Sequence, residues 1–332
     1  MTSISNNTKV AVLMGGVSNE REISFKSGKA IATALQRAGY EVEPVDITDR
    51  EIEAVEKVNP GVAFVALHGE FGEDGQVQQM LDRRGIPYTG SGPIASRAGM
   101  DKVASKRLFT RHSVPTADYA VISPETEAPE ARRLADGLGY PLVCKPAVGG
   151  SSLGINVVDN GEDLPEAIAA ARDSGPVEGD FYEEPDNVML EKCIHGREFT
   201  VGVLDGRPLP VVEVRSEREF FDFEAKYSAD DTEYIIPVAV LETVYRRMQE
   251  AAMRAYNALG CRHLARVDMM HGYDGQLYVL EVNTIPGFTP RSLLPMAADY
   301  AGIDFHELCD RLCGMALRDG IAGSAPAERQ SA

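Results

Sequence analysis

Short apolar runs alternate with helical segments at the start of the chain, and this alternation limits the fold more than any other feature. Apolar strands are predicted at Lys9–Met14 and Val62–Leu67, with a third strand at Glu41–Val45. Helices are predicted over about Glu20–Ala38 and Gln76–Arg84. Strands that alternate with helices at this spacing form a parallel sheet with helical crossovers. The sequence therefore predicts an α/β protein that opens on a parallel sheet.

The pattern changes after residue 92. A helix is predicted at Met100–Arg111, followed by further strands and helices up to about residue 192. Two antiparallel hairpins then follow, with turns at Asp205-Gly206 and Asp274-Gly275. A length of 332 residues favours two to three domains, and we divide the chain at 1–92, 93–192 and 193–332. Three segments are predicted to be irregular: the acidic loop 173–186, the polar loop 215–234 and the C-terminal tail 319–332.

Composition narrows the class of protein. Lysine and arginine number 33 against 51 acidic residues, which gives a net charge of −18. Such a charge repels nucleic acid and anionic membranes, so neither is an expected partner. No apolar run approaches the roughly 18 residues of a membrane helix, and Met1–Thr8 lacks the pattern of a secretory signal. The five cysteines show no CxxC spacing, and a reducing cytoplasm is the expected location.

The second hairpin carries the most informative group of polar residues. Asp-Gly is the preferred two-residue turn and fixes strand register. That register places Asp268 opposite Glu281 and Arg266 opposite Asn283, all on one face because side chains repeat every two residues. Three hard oxygen donors at this spacing suit Mg²⁺. The alternative is an exposed polar face, which the apolar neighbours of these residues disfavour.

A Gly/Ser-rich loop follows Lys145 and extends to Gly154. Such a loop can fold its backbone N–H groups over phosphates. It is not a Walker A motif, because the lysine precedes the glycines. Alone it could equally be a mobile hairpin loop, but with Lys102 and the carboxylate face it predicts a nucleotide site.

The first strand ends at Gly15-Gly16, which raises the possibility of a dinucleotide site with Asp46 at the ribose. The GxGxxG pattern is absent, so this interpretation is disfavoured. Glu20 and His68 would instead face a ligand across the strand ends, although each could also be a cap or a satisfied polar residue.

Taken together, the motifs resemble those of the D-alanine–D-alanine ligases, an ATP-grasp family. The similarity covers nearly the whole chain and is carried by GGVSNEREIS, LHGEFGEDGQVQQMLD, YTGSGPIASRAGMDK, KPAVGGSSLG, EK…GREFTV, FDFEAKYSADDTEY, RVDM and LEVNTIPGFTPRSL. It implies a three-domain ATP-grasp fold. Residues 1–92 would form a Rossmann-like domain at the substrate end, 93–192 a central small lobe, and 193–332 a lobe with the metal site and a lid.

The resemblance also implies a reaction. ATP would phosphorylate the carboxylate of one D-alanine, and the amine of a second D-alanine would attack the acyl phosphate to give a peptidoglycan precursor. ATP and two Mg²⁺ (or Mn²⁺) ions are the implied cofactors, and a homodimer is the implied assembly.

Individual roles follow from the matching motifs. The family's catalytic residues correspond to Glu20, Ser151, Tyr227, Arg266 and the backbone of Gly287, where Arg266 and Gly287 would stabilise an oxyanion. Its substrate contacts correspond to His68, Ser292 and Leu293. Its nucleotide contacts correspond to Lys102, Lys145, Ser152, Glu191, Lys192, Ile194, Glu198 and Lys226. Its metal ligands correspond to Asp268, Glu281 and Asn283, and loop 215–234 would be the lid.

Three alternatives remain open. The second substrate could be D-lactate or D-serine, although the lid sequence Glu224-Ala225-Lys226-Tyr227 favours dipeptide formation. A nucleotide-binding protein without catalysis is disfavoured by the presence of Arg266 beside the metal-ligand set. A dehydrogenase is disfavoured by the missing dinucleotide fingerprint.

Overall fold

The computed structural model describes residues 8–150, 154–175, 182, 184–216 and 232–323. Twelve strands lie within these ranges: β1 Lys9–Gly15, β2 Glu41–Ile47, β3 Val62–Val65, β4 Tyr119–Ile122, β5 Leu142–Pro146, β6 Asn156–Val158, β7 Val188–Lys192, β8 Gly196–Leu204, β9 Arg207–Ser216, β10 Thr232–Ile235, β11 Leu264–Gly272 and β12 Leu277–Asn283. Ten helices lie within them: α1 Arg21–Arg37, α2 Glu53–Val58, α3 Gln76–Arg84, α4 Pro93–Met100, α5 Lys102–Arg111, α6 Ala128–Leu138, α7 Leu164–Asp173, α8 Glu242–Leu259, α9 Leu293–Tyr300 and α10 Phe305–Gly323. None of the helices in these ranges is long and apolar enough to cross a membrane.

The first sheet is parallel, in the order β2-β1-β3, which confirms the predicted α/β start. Strands β1 and β3 are buried on both faces, as expected for a sheet covered by helices on each side. Beside β3, an isolated parallel bridge joins Tyr88 to Ala63. The short helix α2 was not predicted.

The second sheet is antiparallel, in the order β4-β7-β5-β6. Helices α6 and α7 pack on one face through a cluster that includes Leu142 and Leu190. The opposite face carries Lys145 and Glu191, which lie diagonally across the β5–β7 ladder, beside apolar residues such as the buried Met189. This face is directed at the third sheet.

The third sheet has the order β10-β9-β8-β11-β12. Helix α8 packs on one face, where Val267 and Val279 are fully buried. Helices α9 and α10 pack on the other side, in a core that also includes β1 and α1. Tyr40, just before β2, donates a hydrogen bond of 2.6 Å to Asp310 of α10. The first and last parts of the chain therefore share one core.

The turn of the second hairpin differs from the prediction. Gly272 donates its backbone N–H to Gln276, so three residues rather than two connect the strands. Gly275 adopts a φ of 77°, as three-residue hairpin loops require. A β-bulge beyond Asp268 then compensates for the extra residue. The predicted pairs, Asp268 with Glu281 and Arg266 with Asn283, are confirmed.

Three further boundaries differ from the sequence predictions. The helix predicted at Met100–Arg111 begins at Lys102 as α5, because Asp101 has extended backbone and caps α5 by accepting from Ala104 at 2.9 Å, and Met100 ends the separate helix α4. The predicted tail begins as helix, since α10 continues to Gly323. The ends of the predicted lid loop are strands β9 and β10, and its residues 217–231 lie outside the described ranges.

Candidate active site

Asp268 lies at the centre of the polar face of the second hairpin. It is 6% exposed, and its carboxylate accepts hydrogen bonds from three side chains. Arg266 donates two of them, at 2.8 Å and 2.6 Å. Thr200, directly opposite on β8, has its hydroxyl 2.6 Å away, and the Asn283 amide donates at 2.9 Å. These donors offset the repulsion expected between Asp268 and Glu281.

The bulge determines where Glu281 points. Leu277 and Val279 face the α8 core, and alternation alone would send Glu281 to the same side. The bulge reverses the phase, so Val282 returns to the core. Glu281 then joins Asp268 and Asn283 on the polar face.

Two carboxylates and an amide oxygen make a donor set that fits Mg²⁺ or Mn²⁺. The described ranges contain no group of three or more His, Cys, Asp or Glu side chains placed to hold a metal, which agrees with a set whose third member is an amide. The Asn283 amide, which now directs its nitrogen at Asp268, would have to turn its oxygen towards the ion.

A buried charged network lies on the facing sheet. Glu191 accepts hydrogen bonds from Lys145, at 2.5 Å, and from Lys106. Burial alone would raise the pKa of the Glu191 carboxyl, but the charges and hydrogen bonds of the two lysines prevail and lower it to about 2. Lys145 and Glu191 are among the predicted site residues, and Lys106 is not. The available signal was its position at core spacing between Val103 and Phe109 on α5.

The predicted phosphate loop borders this network. Lys102 donates to the carbonyl of Gly149 at 2.6 Å, so it holds the start of the loop. Ser151 and Ser152, predicted to act in catalysis and phosphate binding, lie outside the described residues, as do Lys226 and Tyr227 of the predicted lid. Of the remaining predicted nucleotide contacts, Lys192 ends β7, Glu198 lies in β8, and Ile194 lies between these strands.

Glu20 lies at the substrate end of the molecule. It is 6% exposed and lines a cleft of about 230 Å³ together with Gly69 and Gly150. A Cβ added at Gly69 would come within 2.9 Å of the Glu20 carboxylate. Because residue 69 has no side chain, the Glu20 carboxylate can lie beside the loop that follows β3.

His68 is held rigidly beside this cleft. One ring nitrogen lies 3.0 Å from the hydroxyl of Ser27, and the other lies 3.2 Å from Glu73 and from the carbonyl of Ile285. Burial lowers the pKa of His68, but the hydrogen bond and charge of Glu73 outweigh it and the net pKa is raised. Glu73 is not among the predicted site residues, and its only signal in the sequence was its position five residues after His68.

Glu73 connects the two ends of the site electrostatically. Burial raises its pKa to about 7, with His68 opposing the shift and the Glu20 carboxylate adding to it. Arg266 lowers the pKa of the same carboxyl. The Arg266 guanidinium on the third sheet is thus close enough to change the pKa of Glu73, which lies at the substrate end of the first sheet.

The loop after β12 completes the site. Ser292 lies just before α9 and accepts a hydrogen bond from the backbone of Thr289 at 3.0 Å. Leu293 begins α9, so its backbone N–H belongs to the unpaired set at a helix N-terminus, which favours carboxylates. A Cβ at Gly287 would lie 3.5 Å from the Ser292 hydroxyl. The predicted oxyanion donor and substrate cradle therefore adjoin.

The dinucleotide alternative is disfavoured by the structure as well. Asp46, the candidate ribose contact, is paired with Arg21 at 2.8 Å. Arg21 also donates to the carbonyls of Gly16 and Ile47. The guanidinium therefore occupies the strand ends where a dinucleotide would approach.

Comparison with known proteins gives consistent matches along the chain. Residues 9–58 and 49–91 match the family model described as D-ala D-ala ligase N-terminus. Residues 108–314 match the model described as D-ala D-ala ligase C-terminus.

Individual relatives match over nearly their whole length. The D-alanine–D-alanine ligase of Syntrophotalea carbinolica is 45% identical over 312 residues, covering 93% of this chain and 97% of the relative. A structure of the D-alanine–D-alanine ligase from Bacillus anthracis complexed with ATP superposes with a TM-score of 0.80 at 33% identity, covering 95% of this chain and 99% of the other. A structure of the VanG D-Ala:D-Ser ligase from Enterococcus faecalis superposes with a TM-score of 0.79 at 28% identity, covering 94% and 100%.

Proposed function

Because this chain belongs to the D-alanine–D-alanine ligase family, we propose that it joins two D-alanine molecules at the expense of ATP to make D-alanyl-D-alanine for peptidoglycan. It is an ATP-dependent ligase with a fold of the ATP-grasp type. The observation that carries the choice of substrate is the juxtaposition of Arg266 and the Asp268–Glu281–Asn283 set with the cleft that Glu20 lines beside His68.

The proposed reaction has two steps. A carboxylate oxygen of the first D-alanine attacks the γ-phosphorus of ATP, and the bond to ADP breaks to leave D-alanyl phosphate. The amine of the second D-alanine then attacks the acyl carbon. The tetrahedral intermediate collapses with loss of inorganic phosphate, and the amine loses a proton as the amide forms.

At the substrate end, Glu20 would bind the ammonium group of the first D-alanine. It suits this role because it is a buried carboxylate at the edge of the cleft. His68 would orient the same substrate, with its ring fixed by Ser27 and Glu73. The N-terminus of α9, at Ser292 and Leu293, would hold the carboxylate of the second D-alanine.

At the reacting centre, Arg266 and the backbone N–H of Gly287 would stabilise the oxyanion of the tetrahedral intermediate. Ser151 and Tyr227 would complete a hydrogen-bonded network with Glu20. Lys102, Lys145, Ser152 and Lys226 would bind the phosphates. Glu191, Lys192, Ile194 and Glu198 would bind the adenosine.

Asp268, Glu281 and Asn283 would hold two Mg²⁺ or Mn²⁺ ions. When bound, these ions would neutralise charge on the ATP phosphates. The residues themselves fix the ligand oxygens in register, because Asp268 and Glu281 face each other across one ladder.

We further propose the division into a substrate-end domain (1–92), a central lobe (93–192) and a lobe with metal site and lid (193–332). Loop 215–234 would exclude water from the acyl phosphate, which would otherwise hydrolyse. A homodimer in the cytoplasm, where ATP is available, completes the proposal.

A D-alanine–D-serine ligase is the second candidate, because the VanG D-Ala:D-Ser ligase shares the fold at a TM-score of 0.79. The relatives at 41–45% identity named D-alanine–D-alanine ligase support the first candidate more strongly.

The deciding experiment measures ATP- and Mg²⁺-dependent phosphate release with D-alanine, alone and with D-serine or D-lactate, and identifies the products by mass. D-alanyl-D-alanine as main product in every mixture is the expected result. A mixed product as main species would keep the mechanism and change the second substrate. ATP binding without any product would contradict the ligase assignment.

A further inference from the structure

Lys106 is a lysine in the interior of the protein that the predicted set of site residues does not include. It is 1% exposed, which makes it one of the largest fully buried side chains in the described ranges. Burying an ammonium group is costly unless it is paired and hydrogen-bonded. The groups that pair with the Lys106 ammonium should therefore indicate the role of its charge.

The Lys106 ammonium group contacts two strands and the segment between α5 and β4. It donates to Glu191 on β7 and to the hydroxyl of Thr116, and it lies 3.5 Å from the carbonyl of Val279 on β12. Lys106 itself belongs to α5. One side chain thus joins the central sheet to the edge strand of the third sheet.

Thr116 completes the connection to β12. Its hydroxyl donates to the carbonyl of Val279 at 2.8 Å, and the N–H of Val279 donates to Pro115 at 2.8 Å. Val279 lies two residues before Glu281, beside the bulge that directs Glu281 to the metal face. The position of β12 relative to β7 therefore depends on this contact.

The charges around Glu191 fit a positioning role. Lys106 from α5 and Lys145 from β5 are the cations that act on its carboxylate, and Glu281 from β12 acts on Lys106. Each Glu191 oxygen accepts from a different lysine. The carboxylate is consequently fixed in one orientation and keeps its negative charge.

We propose that Lys106 is a positioning residue for the nucleotide, which fixes Glu191 and sets its spacing from strand β12 with its metal-ligand residues. This inference rests on the proposed function, because it takes Glu191 as an adenosine contact. Lys106 itself need not touch the nucleotide. Its loss should weaken nucleotide binding before any chemistry takes place.

The test measures ADP affinity by calorimetry with Mg²⁺ for the wild type and three variants. Lys106→Met removes the donors, and we expect the Kd for ADP to rise about 10-fold to 100-fold. Thr116→Val keeps the pair with Glu191 but cuts one link to β12, and we expect a rise of about 3-fold to 10-fold. Arg107→Met, an exposed cation next along the helix, is the matched control and should bind ADP like the wild type.

A pH series separates positioning from simple packing. Without Lys106, only Lys145 opposes the burial of the Glu191 charge, so the pKa of that carboxyl should rise. The Kd ratio of Lys106→Met to wild type should then increase as pH falls from about 8 to 5.5. A ratio that does not change with pH would indicate a packing defect and overturn the proposal.

Two further results are decisive. Wild-type ADP affinity in both Lys106→Met and Thr116→Val would overturn the proposal. If Lys106→Met does not fold, Thr116→Val decides, with unchanged affinity refuting the role. A wild-type protein that binds neither ADP nor ATP would contradict the proposed function instead, so the two failures are distinguishable.

Discussion

Arg266 and Asp268, two residues apart on β11, are joined by two parallel hydrogen bonds of 2.8 Å and 2.6 Å. Arg266 is therefore held in place by a residue of the proposed metal-ligand set. An arginine fixed in this way is pre-organised to stabilise charge that develops nearby. The arrangement places the proposed oxyanion donor and the proposed metal site in one unit.

Replacing Arg266 by alanine should reduce turnover by about 100-fold or more, because a removed oxyanion donor is felt mainly in the transition state. The Kd for ATP measured without a divalent metal should change by less than about 3-fold, because Arg266 is not among the proposed ATP contacts. Steady-state kinetics and calorimetry measure the two quantities. Arg311→Ala, which removes an exposed cation, is the control. A collapse of ATP affinity with normal turnover of bound substrate would assign Arg266 a different role.

The His68–Glu73 pair predicts a pH dependence of stability. The pKa of Glu73 is raised to about 7 and that of His68 is also raised, so the folded protein holds protons that the unfolded chain releases. Stability from these groups is present at low pH and is lost as pH rises through the raised values. The Glu73→Gln variant has no titratable group at residue 73, so it serves as the comparison.

We therefore compare urea unfolding of the wild type and Glu73→Gln at several pH values. Between about pH 5 and 8, the wild type should lose on the order of 1–3 kcal/mol more unfolding free energy than the variant. Parallel pH profiles would show that the two groups titrate alike in the folded and unfolded states.

Thr200 predicts an effect on metal binding. Its hydroxyl lies 2.6 Å from Asp268, and partners of metal-ligating carboxylates orient them. Thr200→Val should lower Mn²⁺ affinity about 10-fold, measured from free Mn²⁺ in an electron paramagnetic resonance titration without substrates. Thr33→Val, at an exposed threonine of α1, should leave it unchanged. If Thr200→Val binds Mn²⁺ as tightly as Thr33→Val does, Thr200 does not orient a ligand of the proposed metal site.

Two glycines with open space at the Cβ position should respond oppositely to alanine. Gly137 lies in α6, where alanine should raise the unfolding free energy by about 0.4–1 kcal/mol. Gly275 has a φ of 77°, where alanine should lower it by about 1–2 kcal/mol. Urea unfolding measures both. The kcat and KM of both variants should equal those of the wild type. A Gly275→Ala variant more stable than the wild type would contradict the three-residue loop.

In the second hairpin, the sequence predicted the strand pairing correctly but not the length of the turn. Asp274-Gly275 predicted a two-residue turn, whereas the loop has three residues, and the bulge restores the pairing at Asp268 and Glu281. The bulge had a signal in the sequence. The apolar residues Leu277, Val279 and Val282 change phase along β12, which a regular strand would not do.

Other parts of the site depended on contacts between distant segments. Lys106 meets residues from 10 to 173 positions away, and no local pattern reports such partners. Helix α4 was not predicted, although it begins at Pro93 and proline is well suited to the first helical position. The motifs predicted which residues lie in the site. The side chains that pair with those residues come from distant segments and depend on tertiary packing.

The core shared by the two ends of the chain also bears on synthesis. Val10 of the first strand and Leu312 of the last helix belong to one hydrophobic cluster. The ribosome must therefore translate α10 before the apolar surface of β1 and α1 can be fully covered. Until then the nascent chain exposes that surface to chaperones and to other unfinished chains. A premature stop codon just before residue 305 would thus expose the first strands of the protein, far from the missing residues in sequence.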